Sequence, residues 1–423
     1  MIYNATIYND SWNTKKLYEL GDFSRGKSKH RPRNDPKLFD NGEYPLVQTG
    51  DIKAATLYVS KHEAAYNEFG LSQSKLWPTG TLCITIAANI AETGILAYPM
   101  CFPDSIVGFT ANQAETSEQF MHYIFTYIRQ SIQNSVSGSI QDNINIEYLK
   151  SLDFKIPEKS YQDKIVSVLS GLDEKIELNS KICSELETMS KTLYDYWFVQ
   201  FDFPDENGKP YRTSGGEMVW NEQLKREIPR GWEAIEYSEL VDIENSSINP
   251  SSFGETVMEH YSIPAFDEDC MPAFDTADTI QSGKYRVLKE TFLVSKLNPQ
   301  FRRIWNPYCL TDNAICSTEF MVYKPKDITL RPICYAIANS DGFYNHMVSK
   351  AISSTGSRKR IQPDVSIKYS LAFPLDRFVV DRFCSHYGPI MEKIKKTKLE
   401  NYELKKLRDW LLPMLMNGQA WVE

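Results

Sequence analysis

The most regular pattern in this chain is an apolar seam that alternates steps of three and four residues and occurs twice. The first seam comprises Ile165, Leu169, Leu172, Ile176, Asn179, Cys183, Leu186, Ser190, Leu193 and Trp197. The second, 218 positions later, comprises Phe383, Tyr387, Ile390, Ile394, Thr397, Asn401, Leu404, Arg408, Leu411 and Leu415. This spacing is that of a coiled coil, so it predicts two long amphipathic helices that pack on each other.

Polar residues interrupt both seams at matching places. Asn179 and Cys183 stand in the first seam, and Thr397 and Asn401 stand at the equivalent positions of the second. A polar seam residue typically fixes the register of helix pairing. We predict a first helix over residues 163–198 and an antiparallel partner that Pro413 terminates or kinks. Antiparallel pairing of two copies gives one chain a pseudo-two-fold axis, which would let it bind two copies of one partner.

A globular segment precedes each predicted helix. Short apolar runs bounded by turn residues predict strands at residues 44–47 and 81–86 in the first segment, and at 261–264 and 291–294 in the second. Helices are predicted at 117–130 and 331–339, and Gly-Ser turns at Gly138 and Gly356 lead into last strands ending at Pro157 and Pro374. The pattern predicts a mixed α/β (α+β) fold with an internal repeat.

Composition limits the classes of function. The 423 residues carry a net charge of −8, so a nucleic-acid site would have to be a local basic patch. The eight cysteines form no CxxC pair and have no histidine at metal-ligand spacing, and no signal segment opens the sequence, which favours a reduced cytoplasm and no metal site. No apolar run approaches the roughly 18 residues that indicate a membrane span.

Three stretches around the end of the first helix resemble the specificity subunit of type I restriction-modification systems. They are WFVQFDFP at residues 197–204, the run from GKPY at 208–211 to GGEMVW at 215–220, and EIPRGW at 227–232. Gly50-Asp51-Ile52 and the twin Gly-Ser turns fit the same family. One departure from the repeat is visible. The segment Pro229-Arg230-Gly231-Trp232 has only Asn13 and the other residues around Trp12 as its counterpart in the first copy.

The resemblance implies a non-catalytic DNA sequence-recognition subunit. It divides the chain into a target recognition domain at 1–158, a spacer helix at 159–200, a connector at 201–231, a second target recognition domain at 232–376 and a second spacer helix at 377–423. Each domain would read one half of a split double-stranded DNA site, and the helices would bind two methyltransferase subunits, with restriction subunits as further partners. S-adenosylmethionine, ATP and magnesium would belong to the partners.

One loop in the first domain is basic without an acidic residue. Residues 24–33 hold Arg25, Lys27, Lys29, Arg31 and Arg33. Such a loop suits phosphate contacts and guanine reading, although a charge run is also typical of a merely solvated loop. Further DNA-binding candidates carry amide, hydroxyl, carboxylate or cationic groups. They are Gln48, Thr49, Asp51, Gln141, Arg302, Arg303, Arg358, Lys359 and Arg360.

Aromatic residues cluster where the first helix ends. Tyr194, Trp197, Phe198 and Phe201 lie at helical spacing, which indicates either a packed core or a docking surface for the partner. Core packing is the more common use of such a stripe.

Two short motifs point to other classes of protein. Residues 21–28 match the phosphate-binding pattern GxxxxGK[ST], which would make the chain a stand-alone NTPase. Asn306-Pro307-Tyr308 is similar to the loop with which amino-methyltransferases hold a target base, but one proline is missing. A non-specific scaffold that only joins partners is the third alternative.

Overall fold

The chain divides into two compact units in the computed structural model, which describes residues 2–87, 89–137, 144–355 and 358–423. Unit 1 consists of residues 1–178 together with 403–423, and unit 2 consists of residues 179–402. Each unit contains one globular α/β part and segments of both long helices. Within the described residues, no helix is long and apolar enough to cross a bilayer.

Unit 1 begins with short strands and ends its globular part before the first long helix. Its strands are β1 (Asn13–Lys16), β2 (Gly21–Arg25), β3 (Tyr44–Leu46), β4 (Tyr58–Val59), β5 (Ala64–Tyr66), β6 (Leu76–Trp77), β7 (Leu82–Thr85), β8 (Thr93–Leu96), β9 (Met100–Cys101), β10 (Ile106–Ala111) and β11 (Asp153–Ile156). Its helices are α1 (Leu17–Leu20), α2 (Thr49–Ala54), α3 (Glu68–Ser72), α4 (Glu118–Ser137) and α5 (Ile146–Lys150), and α6 (Lys159–Tyr194) starts in this unit.

Two larger sheets and one strand pair organise unit 1. The first sheet has the order β2-β10-β7-β8-β4, the second has the order β5-β3-β9-β6, and β1 pairs antiparallel with β11. Strands β7 and β8 are buried along their whole length, which explains why the sequence reads as a continuous apolar run there. Phe120 and Ile124 of α4 pack in the same core as Leu82 of β7.

Unit 2 repeats this plan with different strand lengths. Its strands are β12 (Met218–Asn221), β13 (Arg226–Pro229), β14 (Trp232–Glu236), β15 (Val241–Ile243), β16 (Ser247–Ile248), β17 (Val257–Tyr261), β18 (Ala273–Thr276), β19 (Lys284–Arg286), β20 (Phe292–Ser295), β21 (Ile304–Trp305), β22 (Ala314–Ser317), β23 (Phe320–Pro325), β24 (Ile352–Thr355), β25 (Arg358–Arg360) and β26 (Ser370–Pro374). Its helices are α7 (Ile263–Glu268), α8 (Arg331–Asn339), α9 (Asp341–Lys350) and α10 (Pro363–Ser366), and α11 (Arg377–Met416) starts in this unit.

The strand pairings of the two units correspond. The order β15-β23-β20 in unit 2 matches β2-β10-β7 in unit 1, and the pair β14-β26 matches β1-β11. A parallel pair also recurs, since β3 runs parallel to β9 and β17 runs parallel to β22. Trp232, opposite Pro374 in β14-β26, corresponds to the neighbourhood of Trp12. The predicted mixed α/β repeat is confirmed, and the strand that begins at Trp232 has its counterpart in the strand that follows Trp12.

The segments of α6 and α11 run antiparallel within each unit. In unit 1, Arg408 Nη1 donates to Asp173 Oδ1 at 2.8 Å, and the Tyr161 hydroxyl donates to the carbonyl of Ala420 at 3.3 Å. In unit 2, Asn179 Nδ2 donates to Glu400 Oε2 at 3.0 Å, and the Lys398 ammonium donates to Glu187 at 2.6 Å. Continuous coiled-coil geometry along both helices stays a prediction.

Unit 1 is closed by the C-terminal residues. Leu412, Leu415 and Met416 are buried in the same core as Leu17 and Leu169. The Thr6 hydroxyl donates to the carbonyl of Asn417 at 2.7 Å. The end of α11 therefore completes a core whose other members come from the first part of the chain.

The long helices end within a few residues of their predicted ends, because a π-helical turn carries the first helix to Val199 and the second continues past Pro413. Helix α6 starts at Lys159 and ends at Tyr194, after which Asp195–Val199 forms a wider π-helical turn. Helix α11 continues past Pro413 to Met416. Pro413 removes only one hydrogen bond, that to the carbonyl of Asp409, and just three residues of α11 follow it. The expected termination is thus displaced by three residues.

Two predicted strand segments are wrong in part. The strand expected at 261–264 ends at Tyr261, because the Ser262 hydroxyl caps α7 by accepting from the Ala265 amide at 3.3 Å and Pro264 occupies its first turn. The strand expected at 44–47 ends at Leu46, and α2 starts at Thr49. The predicted turns at Gly138 and Gly356 lie outside the described residues.

Candidate DNA interface

The basic loop of unit 1 follows β2 and is held against the segment between β9 and β10. The Gly26 amide donates to the carbonyl of Ile106 at 2.8 Å, and the Lys27 amide donates to that of Phe102 at 3.1 Å. A Cβ on Gly26 would lie 2.3 Å from the carbonyl oxygen of Pro103, so this approach requires glycine. No helix begins at Lys27 or Ser28. The NTPase interpretation of residues 21–28 is therefore wrong, because a P-loop needs a helix there.

All five predicted cations of this loop are exposed, but one acidic residue neutralises part of the charge. Arg33 pairs with Asp104 at 2.6 Å, and Arg31 lies 3.8 Å from the same carboxylate. Arg25, Lys27 and Lys29 are exposed along the rest of the loop. The side chains therefore divide into two that share Asp104 and three that present positive charge to solvent.

A histidine-aspartate contact shapes the end of the loop. His30 Nε2 lies 2.8 Å from Asp35 Oδ2. This hydrogen bond, together with the Lys37 amide, lowers the pKa of Asp35. The Lys37 amide donates to Asp35 Oδ1 at 3.0 Å and so caps the short helix that starts at Pro36. The loop therefore ends at an ordered helix start, with Asp35 as the N-cap residue.

The amide and carboxylate candidates of unit 1 belong to the start of α2. Gln48 is the exposed N-cap residue, Thr49 is the first helical residue, and Asp51 Oδ2 accepts from the Gln48 amide at 2.8 Å. Asp51 therefore stabilises the helix start, which is a structural role that the sequence did not predict. Gln48 keeps an exposed amide. Gln141 lies outside the described residues.

Two predicted cations of unit 2 are engaged with carboxylates. Arg303 makes a bidentate contact with Asp267 at 2.6 and 2.7 Å, and its side chain is 12% exposed. Arg302 pairs with Asp341 at 2.6 Å. Hydrogen bonds from Lys191 and Arg302 lower the pKa of Asp341. These contacts give both arginines a structural function, and DNA contact by either one stays a prediction.

The hairpin β24-β25 carries the other predicted cations. Arg360 pairs with Glu319 through two contacts of 3.1 and 2.7 Å, which lowers the pKa of Glu319. Arg358 and Lys359 are exposed on β25. The Lys359 amide donates to Asn298 Oδ1 at 2.9 Å, which fixes the hairpin to the loop after β20. Arg358 and Lys359 are the exposed cations of this hairpin.

Sequence reasoning missed the loop of unit 2 that corresponds to the basic loop of unit 1. Residues 24–33 include the end of β2 and the segment after it, and residues 242–251, which are 218 positions later, include the end of β15 and the segment after it. This segment is rich in exposed hydroxyl and amide groups. They belong to Ser246, Ser247, Asn249 and Ser251. The repeat offset itself was the signal that could have identified it.

The predicted docking role of the aromatic cluster is wrong, because the cluster is the core of unit 2. Tyr194, Trp197, Phe198 and Phe201 are buried. Phe198 packs on Phe383 with ring centroids 4.9 Å apart, and Phe201 packs on Trp232 at 5.4 Å. A partner could not reach these rings without unfolding this core.

Exposed apolar side chains occupy a different part of the long helices. Met189 on α6 is 55% exposed in unit 2, and Leu407 on α11 is 43% exposed in unit 1. The two residues are 218 positions apart, so they are equivalent in the repeat. Trp410, one turn after Leu407, is also exposed. The repeat therefore exposes an apolar side chain at the same helical position in each unit.

The segment Asn306-Pro307-Tyr308 does not present a base-binding loop. Asn306 Oδ1 accepts from Arg331 Nη2 at 2.5 Å, and Tyr308 is buried. Both side chains belong to the interior of unit 2. The similarity to a methyltransferase loop therefore does not extend to an exposed loop.

Comparisons with known proteins agree with this architecture. A family model described as the type I restriction modification DNA specificity domain matches residues 9–188. The chain is 23% identical to the type I restriction enzyme MjaIX specificity subunit of Methanocaldococcus jannaschii, over 97% of this chain and 94% of that protein. It is 38% identical to the HindI specificity subunit of Haemophilus influenzae, over 21% of this chain and 17% of that protein.

A solved structure shares the fold. The crystal structure of the type I restriction-modification S subunit from M. genitalium superposes with a TM-score of 0.65 at 15% sequence identity, covering 98% of this chain and 99% of that chain. The resemblance predicted from the sequence is confirmed by the family model, the full-length relative and the common fold. Residues 9–188 match the type I restriction modification DNA specificity domain, and over nearly its whole length the chain is similar to a specificity subunit of a type I restriction enzyme.

Proposed function

We propose that this chain reads a split, asymmetric sequence in double-stranded DNA, with unit 1 reading one half and unit 2 the other. The observation that carries the proposal is the repeated sheet order, β2-β10-β7 and β15-β23-β20, with a loop of different chemistry after the first strand of each. One scaffold used twice can present two readers, and different loops give them different preferences.

The two loops differ in chemistry, which supports a different half-site preference for each unit. Arg25, Lys27 and Lys29 offer cations for phosphates and for the acceptors of guanine. The corresponding segment of unit 2 offers hydroxyl and amide groups, as in Ser247 and Asn249, which can donate to or accept from base edges. Arg358 and Lys359 would supply phosphate contacts in unit 2. The two half-sites would therefore differ in sequence.

The long helices would dock two methyltransferase subunits at equivalent places. Met189 and Leu407 support this, because a tandem repeat offers the same exposed apolar position twice. S-adenosylmethionine, ATP and magnesium would be held by the partner subunits, restriction subunits included. The chain itself would position its partners on DNA and would not catalyse a reaction. The complex would work in the reducing cytoplasm, in keeping with the eight free cysteines.

Methylome sequencing tests the recognition role. Cells that express this chain with its cognate methyltransferase subunit are compared with cells that express the methyltransferase alone. We expect a new split motif with unlike halves only when this chain is present. Absence of a motif despite a stable complex would favour a non-specific scaffold, and a palindromic motif would contradict the assignment of different half-sites.

Exchange of residues 24–33 for the same loop of another specificity subunit tests the division between units. We expect a change in one half of the motif and no change in the other. The matched exchange of residues 242–251 should alter the opposite half. A change in both halves from either exchange would contradict one reader per half-site.

A further inference from the structure

Unit 2 contains a cavity of about 340 Å³ bounded by its segments of both long helices and by its globular part. Helix α6 contributes Ser190 and Tyr194, and α11 contributes Met391 and Lys395. Residues 302–308 and 335–340 close the other side. A volume of this size is at the lower end of the range that small-molecule sites occupy in proteins.

The cavity wall is largely aromatic. Rings of Tyr194, Trp305, Tyr308, Tyr335 and Tyr387 line it. Flat rings of this kind pack well against a flat apolar body, through stacked or edge-on contacts. The wall therefore favours a planar ligand over a branched one.

The polar groups of the lining are mainly donors. Within the described residues, Trp305 Nε1 and Asn306 Nδ2 are buried without a hydrogen-bond partner. The amide orientation of Asn306 follows from its contact with Arg331, because the oxygen must accept from that guanidinium. Both nitrogens are enclosed within the wall and do not open onto the cavity, so a ligand would have to be held by other side chains of the lining.

Lysine adds positive charge to the same lining. Lys398 is paired with Glu187 at 2.6 Å, whereas the Lys395 ammonium lies 5.9 Å from the ring centroid of Tyr308. Burial lowers the pKa of Lys395, because the charged form loses hydration. An anionic ligand group would offset that loss.

The equivalent positions of unit 1 are filled by a salt bridge. Ser190 and Met391 correspond, at the offset of 218, to Arg408 and Asp173. In unit 1 the Arg408–Asp173 contact of 2.8 Å is joined by the Tyr123 hydroxyl, which donates to Asp173 at 2.7 Å. The fold can therefore close this space with side chains, and unit 2 has smaller or uncharged ones instead.

We propose that the cavity of unit 2 binds a small planar aromatic carboxylate. Its ring would lie among Tyr194, Trp305 and Tyr335, and its carboxylate would accept from the Lys395 ammonium. This site is separate from the exposed loops assigned to DNA, and the proposal does not depend on the recognition role.

Calorimetric titration of the full-length chain with 2-naphthoate tests the proposal, with 2-naphthamide as the neutral ligand of the same shape. We expect 2-naphthoate to bind about tenfold more tightly or better, because charged hydrogen bonds exceed neutral ones. Ser190→Leu fills the cavity and should weaken binding about tenfold or more. Ser184→Leu, at an exposed position of the same helix, should leave affinity unchanged.

Lys395→Gln supplies a second variant that changes little volume. It should remove the preference for the carboxylate, so that both ligands bind within about threefold of each other. Binding of 2-naphthoate that persists in Ser190→Leu would overturn the proposal. So would equal affinity of the parent chain for the two ligands, or no binding of 2-naphthoate at 1 mM.

Discussion

Arg408 donates from Nη1 to Asp173 Oδ1 at 2.8 Å, although the two residues are 235 positions apart in the chain. Asp173 is 3% exposed at its side chain. The contact joins α11 to α6 inside unit 1, and the Tyr123 hydroxyl adds a link to α4. A buried carboxylate of this kind depends on its partners, because an unpaired charge in the interior is costly.

Removal of the guanidinium should therefore destabilise unit 1 strongly. We expect Arg408→Met to lower the free energy of unfolding by about 3–5 kcal/mol, since Asp173 would lose its counter-charge. Urea unfolding followed by circular dichroism measures the change. Lys396→Met, at an exposed position of α11, is the control and should change the free energy by less than about 0.5 kcal/mol. A loss below about 1 kcal/mol for Arg408→Met would contradict the structural importance of the pair.

His122 should make unit 1 sensitive to acid. Its Nδ1 lies 3.0 Å from Thr93 Oγ1, and burial lowers the pKa of His122 from 6.5 to about 3. At a pH between about 3 and 6.5, the unfolded chain binds a proton on the His122 imidazole that the folded chain does not bind. Stability is therefore complete above pH 6.5 and falls as the pH decreases toward 3.

The size of this acid effect can be measured in a variant. From pH 7.5 to 5 we expect the unfolding free energy to fall by about 2 kcal/mol through His122 alone. His122→Gln should lose that contribution, whereas His62→Gln, at an exposed position, should retain it. Identical pH dependence in the parent and His122→Gln would show that His122 does not titrate in this way.

The exposed lysines of the loop at 24–33 should contribute to DNA binding through phosphates. We expect Lys27→Ala to reduce the slope of log affinity against log salt concentration by about 1, with the same effect on any sequence. Lys396→Ala, at an exposed position of α11, serves as the control and should leave the salt slope unchanged. An equal reduction of the slope in both variants, or none in Lys27→Ala, would contradict a phosphate contact by Lys27.

The repeated apolar positions on the long helices should determine how many partners bind. Met189→Glu and Leu407→Glu should each reduce the number of methyltransferase subunits from two to one, because a carboxylate would be buried in the interface. Native mass spectrometry gives the stoichiometry. Lys396→Glu also places a carboxylate on an exposed part of α11 and should keep two partners. If both variants still bound two partners, the docking surface would lie elsewhere.

The sequence predicted those features that depend on local spacing. The seam from Ile165 to Trp197 indicated α6 within four residues of its start, because helical period is a property of neighbouring positions. The strand at 261–264 was predicted too long, since the hydroxyl of Ser262 competes for the backbone and starts a helix. Elements were therefore easier to predict than their ends.

The roles of individual side chains were harder to predict, because they depend on partners that are distant in sequence. The stripe from Tyr194 to Phe201 was consistent with a surface or a core until Trp232 and Phe383 were seen to cover it. The loop at 24–33 has no acid of its own, yet Asp104, 71 positions after Arg33, neutralises part of it. Periodicity carries no information about such contacts.

The contribution of residues 403–423 to unit 1 has a consequence for the order of folding during synthesis. Unit 2 is one uninterrupted segment, so its core can form once residue 402 has left the ribosome. The core of unit 1 needs Leu412, Leu415 and Met416, which are made about 230 residues after α6 leaves this unit at residue 178. At synthesis rates of roughly 5–20 residues per second, the half of the chain that is made first waits many seconds for its last helix. The second half is therefore the first to reach its native state.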